Sequence, residues 1–444
     1  GRSMPVQEGS VAEWASGVAR RGASELASAR ASLSDWAHQM REQHTQNPNE
    51  MRPLAEDFDD EDLVSLGSDE LEGEIEEFDV PTYPDLDHLS STPRTIMNTF
   101  ISFVGAGVLG LPFACRKAGW LAGGIGVLCV GMVALHCMML LHACKYILVA
   151  RGRTISTYGD VAFYALGKRG AFFVDSAIVL SQMCFCVVYL IFISHNVADL
   201  VGHTYREIIL FCCPGLVLLC LIRHLKILAP FSMLANMANL SGLGVILVHD
   251  YMAHESRPPA PMKAFVVDEL PFLFGVAMYC FEGIAMVLPI EASMRHKEHF
   301  KPVLVGNLFG ISCLFGGFGI IGYWGFGEET QDMVSMNLPS GLVSNAVKAC
   351  LCLGLYLTYP VMMFPVNQLL EAPLFRGGDG VTSHIEMKRN VFRALLVILT
   401  VLAAIGIPDF GFVVSLVGST CCSALAFILP ATCHLVLNGP HRPV

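Results

Sequence analysis

A carboxylate stands in the middle of an apolar segment. It is Glu282, in the stretch "FLFGVAMYCFEGIAMVLPIEASM". On insertion scales a charged side chain at the centre of a bilayer costs about 2.5–3.5 kcal/mol, so such a residue faces the protein interior or water and marks a functional position. A carboxyl group there can bind and release a proton. Gly283 follows it and Pro289 lies six residues further on, so a helix through this segment is interrupted. A second segment has the same character. "FISFVGAGVLGLPFA", Phe100 to Ala114, holds Gly105, Gly107 and Gly110, then Pro112. Unwinding over Gly105–Gly110 would free backbone N–H groups at the positive end of a half-helix, where they suit a carboxylate. Freed carbonyls suit an ammonium group or a coupling ion. A zwitterionic amino acid needs both, close together. Glycines in membrane helices also serve close packing, and "GAGVLG" alone would be read that way. Pro112, and the second interruption at Glu282–Gly283, favour a broken helix that lines a cavity.

The elements that must position these two segments are membrane spans. The chain has 444 residues, 53% hydrophobic and only 15% charged. Apolar runs of about twenty residues, enough to cross about 30 Å of hydrocarbon, recur after Pro93. Ten spans are predicted: 95–115, 120–149, 171–200, 207–222, 228–250, 267–294, 303–325, 341–370, 391–407 and 411–436. This is an all-α polytopic membrane protein. Spans 1 and 6, the two interrupted ones, each open a half of five, 1–5 and 6–10. An odd number of spans inverts the second half relative to the first. Paired discontinuous helices at corresponding places point to a binding site at the middle of the membrane.

Basic residues cluster in the loops after spans 2, 4, 6 and 8, among them Arg151, Arg153, Lys168, Arg169, Arg295, Lys388 and Arg389. The loops after spans 1, 3, 5, 7 and 9 hold five. The positive-inside tendency therefore expects a cytosolic N-terminus and cytosolic even loops. Asp175 and Lys348 lie nearer span ends, where long side chains can snorkel.

Residues 1–94 form a separate acidic tail, with 21 acidic and 7 basic residues against 18 and 21 in the remainder. "EDFDDEDLVSLGSDELEGEIEEF" repels itself, so the tail is expected to be largely disordered. Tyr83–Leu86, "YPDL", fits a tyrosine-based sorting signal that an adaptor would read. The transmembrane domain is expected over 95–436, with a short end at 437–444. No nucleic-acid partner is implied by either part; the surrounding partner is membrane lipid. The sixteen cysteines lie almost all in apolar runs and set up no loop pattern of metal ligands. No metal or organic cofactor is expected. His136 and His142, six apart, do not share a helix face as paired metal ligands of a membrane enzyme would. An enzyme is not expected.

Five stretches carry a resemblance: "FVGAGVLGLPFACRKAGW", "LAPFSMLANMANL", "YCFEGIAMVLPIEASM", "GYWGFGEETQDMVSMNLP" and "VVSLVGSTCCSALAFILPATCHL". Over about 95–436 the chain resembles the amino acid/auxin permeases. It is most similar to the plant vacuolar exporters of neutral amino acids, and next to the animal proton-assisted amino acid transporters. The resemblance implies a LeuT-like 5+5 inverted repeat with broken spans 1 and 6. It implies secondary active transport of an amino acid, in the vacuolar or lysosomal membrane ahead of the plasma membrane. It places substrate at the two breaks, giving Gly105, Ala106, Gly107, Val108, Gly110, Tyr279, Cys280, Phe281 and Gly283 as binding candidates. Tyr189 and Tyr359 join them because spans 3 and 8 flank the site in that fold. A pocket built from Val108, Cys280 and Phe281 would prefer small or apolar side chains.

Two departures matter. Members of the family usually have eleven spans, so an eleventh is expected to be missing here. Animal proton-coupled members carry a histidine before the span 1 break, where Asn98 stands in this chain. Glu282 is then the remaining ionisable candidate for proton coupling, with the proton ahead of sodium as coupling ion. Two roles stay open for it: carrying the proton, or propping the break open through hydrogen bonds to freed backbone groups. A membrane sensor that binds the amino acid without net flux is the rival to a transporter.

Overall fold

The computed structural model describes residues 90–222, 237, 239–252, 262–339, 341–375 and 383–439. The acidic tail and the "YPDL" signal lie outside the described residues.

Every regular element described is helical. In chain order they are α1 (Thr92–Phe103), α2 (Leu111–Ala118), α3 (Trp120–Ala150), α4 (Tyr158–Val201), α5 (Tyr205–Cys220), α6 (239–252), α7 (Leu270–Cys280), α8 (Ile284–Ala292), α9 (Phe300–Phe326), α10 (Leu342–Leu374), α11 (Ser383–Gly406), α12 (Phe410–Val417) and α13 (Leu429–Asn438). Seven helical stretches among the described residues are long and apolar enough to cross a membrane, and they are the predicted spans 2, 3, 6, 7, 8, 9 and 10. Of the other three, span 1 is divided between α1 and α2, and α5 has only 16 residues with Pro214 inside it. Span 5 is described from 239 onward. The chain is an all-α polytopic membrane protein.

Local chemistry explains where the helices stop. Gly119, at φ 96°, ends α2 and starts α3, a backbone conformation that favours glycine. A Cβ there would also stand 2.6 Å from the Phe265 amide, and that loop pairs with the turn through Val266 N to Ala118 O at 2.8 Å. Helix α4 begins 13 residues before its predicted start. Thr157 and Asp160 form a capping box, with Asp160 N donating to Thr157 Oγ1 (3.2 Å) and Thr157 N donating to Asp160 Oδ2 (2.8 Å). Gly167, at φ 74°, then turns this short entry helix into the span. Span 10 is not uniform: α12 passes through two π-helical turns, Gly418–Cys422 and Ala424–Ile428, before α13. The first of these sits where span 10 meets span 6 without intervening side chains. A Cβ on Gly418 would stand 2.8 Å from Tyr279 N, and one on Gly275 would stand 2.6 Å from Ser415 Oγ. Small residues permit this backbone approach.

Three of the buried charged residues are held in ion pairs. Lys348, 3% exposed, donates to Asp199 at 2.7 Å instead of snorkelling to a membrane face. Glu291, 1% exposed, is held by Lys145 and by the Tyr146 hydroxyl at 2.8 Å, with His142 beside it. Arg393 forks onto Glu371 at 2.5 and 3.0 Å. Each pair joins two spans, so the charges tie helices together inside the bundle.

Candidate functional site

Span 1 breaks where its glycines lie. Helix α1 ends at Phe103, Gly105 is extended at φ −125° and ψ −169°, and Ala106–Gly110 form a tight 3₁₀ turn before α2. Pro112 sits in the first turn of α2, where its missing N–H costs no hydrogen bond. Span 6 breaks between Cys280 and Ile284: α7 ends, Phe281 closes it, and α8 restarts after Gly283. Glu282 stands in that gap.

The two breaks touch each other through their glycines. A Cβ on Gly107 would stand 2.7 Å from Cε1 of Tyr279 and 3.1 Å from Sγ of Cys280. Reciprocally, a Cβ on Gly283 would stand 2.6 Å from Cε1 of Phe103, the last residue of α1. Each break thus lacks a side chain where the other presents an aromatic ring.

Glu282 is half-buried, and among the described residues no hydrogen bond or ion pair is formed by its carboxylate. Tyr189 and Cys422 lie within electrostatic reach of it. The Tyr189 hydroxyl also approaches the other break, 3.8 Å from where a Gly105 Cβ would be. Tyr279 packs edge-on against Phe185, with ring centres 4.6 Å apart, and its buried hydroxyl has no hydrogen-bond partner.

The remaining residues named from the sequence divide. Ala106 and Val108 are buried in the 3₁₀ turn. Gly110 faces span 10, with Phe410 Cε1 3.3 Å from its Cβ position. Phe281 is fully buried and turns away from the gap, toward Phe315 of span 7 at 5.5 Å. Tyr359 is not brought to the breaks: its hydroxyl meets Thr400 Oγ1 of span 9 at 2.5 Å, and its carbonyl oxygen faces Cys186 of span 3.

A narrow cleft opens beside the span 1 break. It is lined by Val104, Gly105, Ala106 and Leu109 of span 1, Asn239 and Leu243 of span 5, and Leu351 and Leu355 of span 8. The expected partner of span 1 in a shared cavity was span 6; here span 6 packs tightly on Gly107 and the open side faces spans 5 and 8. The cleft has space on the scale of one water molecule. Its lining is aliphatic except for Asn239, whose buried side-chain oxygen has no partner among the described residues.

The fold is that of a polytopic α-helical membrane protein with two interrupted helices in contact. The chain belongs to the family described as transmembrane amino acid transporter protein, whose sequence model matches residues 88–442. It is similar to amino acid transporter AVT3B of Arabidopsis thaliana, 37% identical over 79% of this chain and 86% of that protein. Amino acid transporter ANT1 of the same plant is 37% identical, with the same coverage. Vacuolar amino acid transporter 3 of Saccharomyces cerevisiae is 30% identical over 80% of this chain and 53% of its own length. The relatives are transporters, and the family is a transporter family and not an enzyme family.

Proposed function

We propose that this protein is a proton-coupled carrier of neutral amino acids, moving them from an acidic vacuole-type compartment into the cytosol on a LeuT-like 5+5 inverted repeat. The observation that carries the reading is the meeting of two interrupted helices beside an unpaired, half-buried Glu282. A carboxyl group with no hydrogen bond does not prop the break open, which supports the proton-carrying role. Its partial exposure is consistent with access for a proton. The aliphatic cleft with Asn239 as its polar member supports a neutral substrate with an apolar side chain. Substrate would lie against Gly105–Gly107, with the Tyr279 hydroxyl, Tyr189 and the Asn239 oxygen as polar partners. The yeast relative's name supports a vacuolar address, and the basic-loop asymmetry supports a cytosolic N-terminus.

Alternating access would require span 1 to swing at its break. Both ends are fastened here. Ser90 N donates to Ser293 O at 2.8 Å and Arg295 N to Ser90 O at 3.1 Å, while Asn307 holds Ile96 O at 3.2 Å. At the other end Arg116 donates to Glu328 O and Thr330 O, at 3.0 and 2.8 Å. The test is flux: purified protein in liposomes, labelled neutral amino acids and an imposed pH gradient. Accumulation on the less acidic side supports the reading. Saturable binding with no movement of label would make the protein a sensor and overturn it.

A further inference from the structure

Asp250, near the end of span 5, is a buried carboxyl group that the proposed transport cycle does not use. It is 0% exposed, and among the described residues neither side-chain oxygen has a hydrogen-bond partner. It lies where three spans meet. A Cβ on Gly322 of span 7 would stand 3.3 Å from Asp250 Oδ2 and 2.7 Å from Cβ of Pro112 in the second half of span 1. One turn on, a Cβ on Gly325 would stand 2.6 Å from the Asp250 carbonyl oxygen. Two glycines of span 7 therefore leave room for this residue, against the proline that restarts the broken span.

The titratable and charged groups on the elements packed around it are otherwise engaged. On span 1, Arg116 is committed to Glu328 O and Thr330 O, and Lys117 pairs with Glu269 at 3.3 Å. On span 7 the Tyr323 hydroxyl accepts from Lys263 N and donates to Glu328. The side chain of Lys263 faces Glu328 at 3.5 Å. On span 5 itself the His249 ring stacks on Phe326 and Tyr251 lies against Trp324. Among the described residues no counter-ion reaches Asp250. A carboxylate with neither water, hydrogen bond nor cation is the least stable form such a group can take, and the neutral acid is the form this packing tolerates.

We infer that Asp250 is a second proton-binding site of the carrier: a neutral acid while spans 1, 5 and 7 are packed together, and an ionised one when they part. The proton is taken from water on the side where span 5 ends and returned to water when the packing opens. The charge left behind keeps the three spans from closing until another proton arrives. The inference rests on the proton-coupled reading but not on Glu282 or the glycines of the two breaks.

The test is the pH dependence of uptake into liposomes by the full chain, varied on the side where span 5 ends. Each proton required for transport lowers uptake about tenfold per pH unit on the alkaline limb. Wild type is expected to fall with the slope of two protons and Asp250→Asn with the slope of one, because the amide mimics the neutral acid and cannot titrate. An Asp250→Asn slope equal to that of wild type overturns the inference. If the amide variant does not insert, Asp250→Glu keeps a titrating group in altered surroundings. A limb displaced along the pH axis then supports the assignment, and an unmoved limb overturns it. A wild type indifferent to pH removes proton coupling altogether, and this site with it; a wild-type slope of one that Glu282→Gln abolishes leaves the coupling reading standing and sinks Asp250 alone.

Discussion

Gly107 and Gly105 stand two residues apart in the same break, yet the structure assigns them opposite tolerance to a methyl group. At Gly107 a Cβ would stand 2.7 Å from the Tyr279 ring and 3.1 Å from the Cys280 sulfur, both fixed on the buried end of α7. One of the two breaks must then shift. Overpacking a tight interior costs about 1–3 kcal/mol. If that cost falls on the transport-competent packing, flux per molecule drops about 5- to 150-fold. At Gly105 the nearest atom is the Tyr189 hydroxyl at 3.8 Å, an ordinary contact, and the backbone is in a region open to alanine. Gly105→Ala should change flux by less than about threefold, in keeping with substitutions of under about 0.5 kcal/mol. The assay is initial uptake of a labelled amino acid into liposomes, divided by the amount of correctly inserted protein. Gly107→Leu, with a larger side chain at the same point, should abolish transport while still inserting. The reasoning is refuted if Gly107→Ala transports at the wild-type rate, or if Gly105→Ala is the more damaging of the two.

Three further outcomes are expected. Asn239→Leu removes the polar member of the cleft. It should raise the KM for neutral amino acids by about 5- to 150-fold, the range for an unmade buried hydrogen bond of about 1–3 kcal/mol, and an unchanged KM would remove Asn239 from the site. Lys145→Met leaves Glu291 buried without its cation. It should destabilise the protein by about 3–5 kcal/mol, whereas Lys145→Met combined with Glu291→Gln should recover most of the loss; thermal unfolding in detergent measures both. Cysteines placed at Arg151 and Lys388 should be labelled from the same, cytosolic face, and labelling from opposite faces would break the span count and the 5+5 repeat together.

Both helix breaks were legible in the sequence because their causes are local. Glycine and proline change backbone freedom wherever they stand, so Gly105–Pro112 and Gly283 announced interruptions with no knowledge of neighbours. The capping box at Thr157–Asp160 was equally local, yet the span was read from hydropathy alone and its entry helix was missed. Side-chain direction is a different matter. Tyr359 and Tyr189 are the same residue type in similar apolar runs, but one hydroxyl turns to Thr400 and the other to the Gly105 break. That choice is made by the packing of spans 8 and 9, which hydropathy does not encode. Asn239 and Asp250 were hidden for the same reason. An asparagine in a span reads as an interhelical bond until the bundle shows that its oxygen has no partner. The burial of Asp250 shows only in the packing, where two glycines of span 7 leave room for it.

The central claim, that the break in span 6 carries a proton with the amino acid, is tested most directly by Glu282→Gln in reconstituted liposomes. The amide keeps the shape of the side chain and cannot titrate. The account predicts that the variant still exchanges external for internal amino acid, yet no longer accumulates it when a pH gradient is the only driving force. A Glu282→Gln protein that concentrates the amino acid on a pH gradient alone, as wild type does, would contradict it.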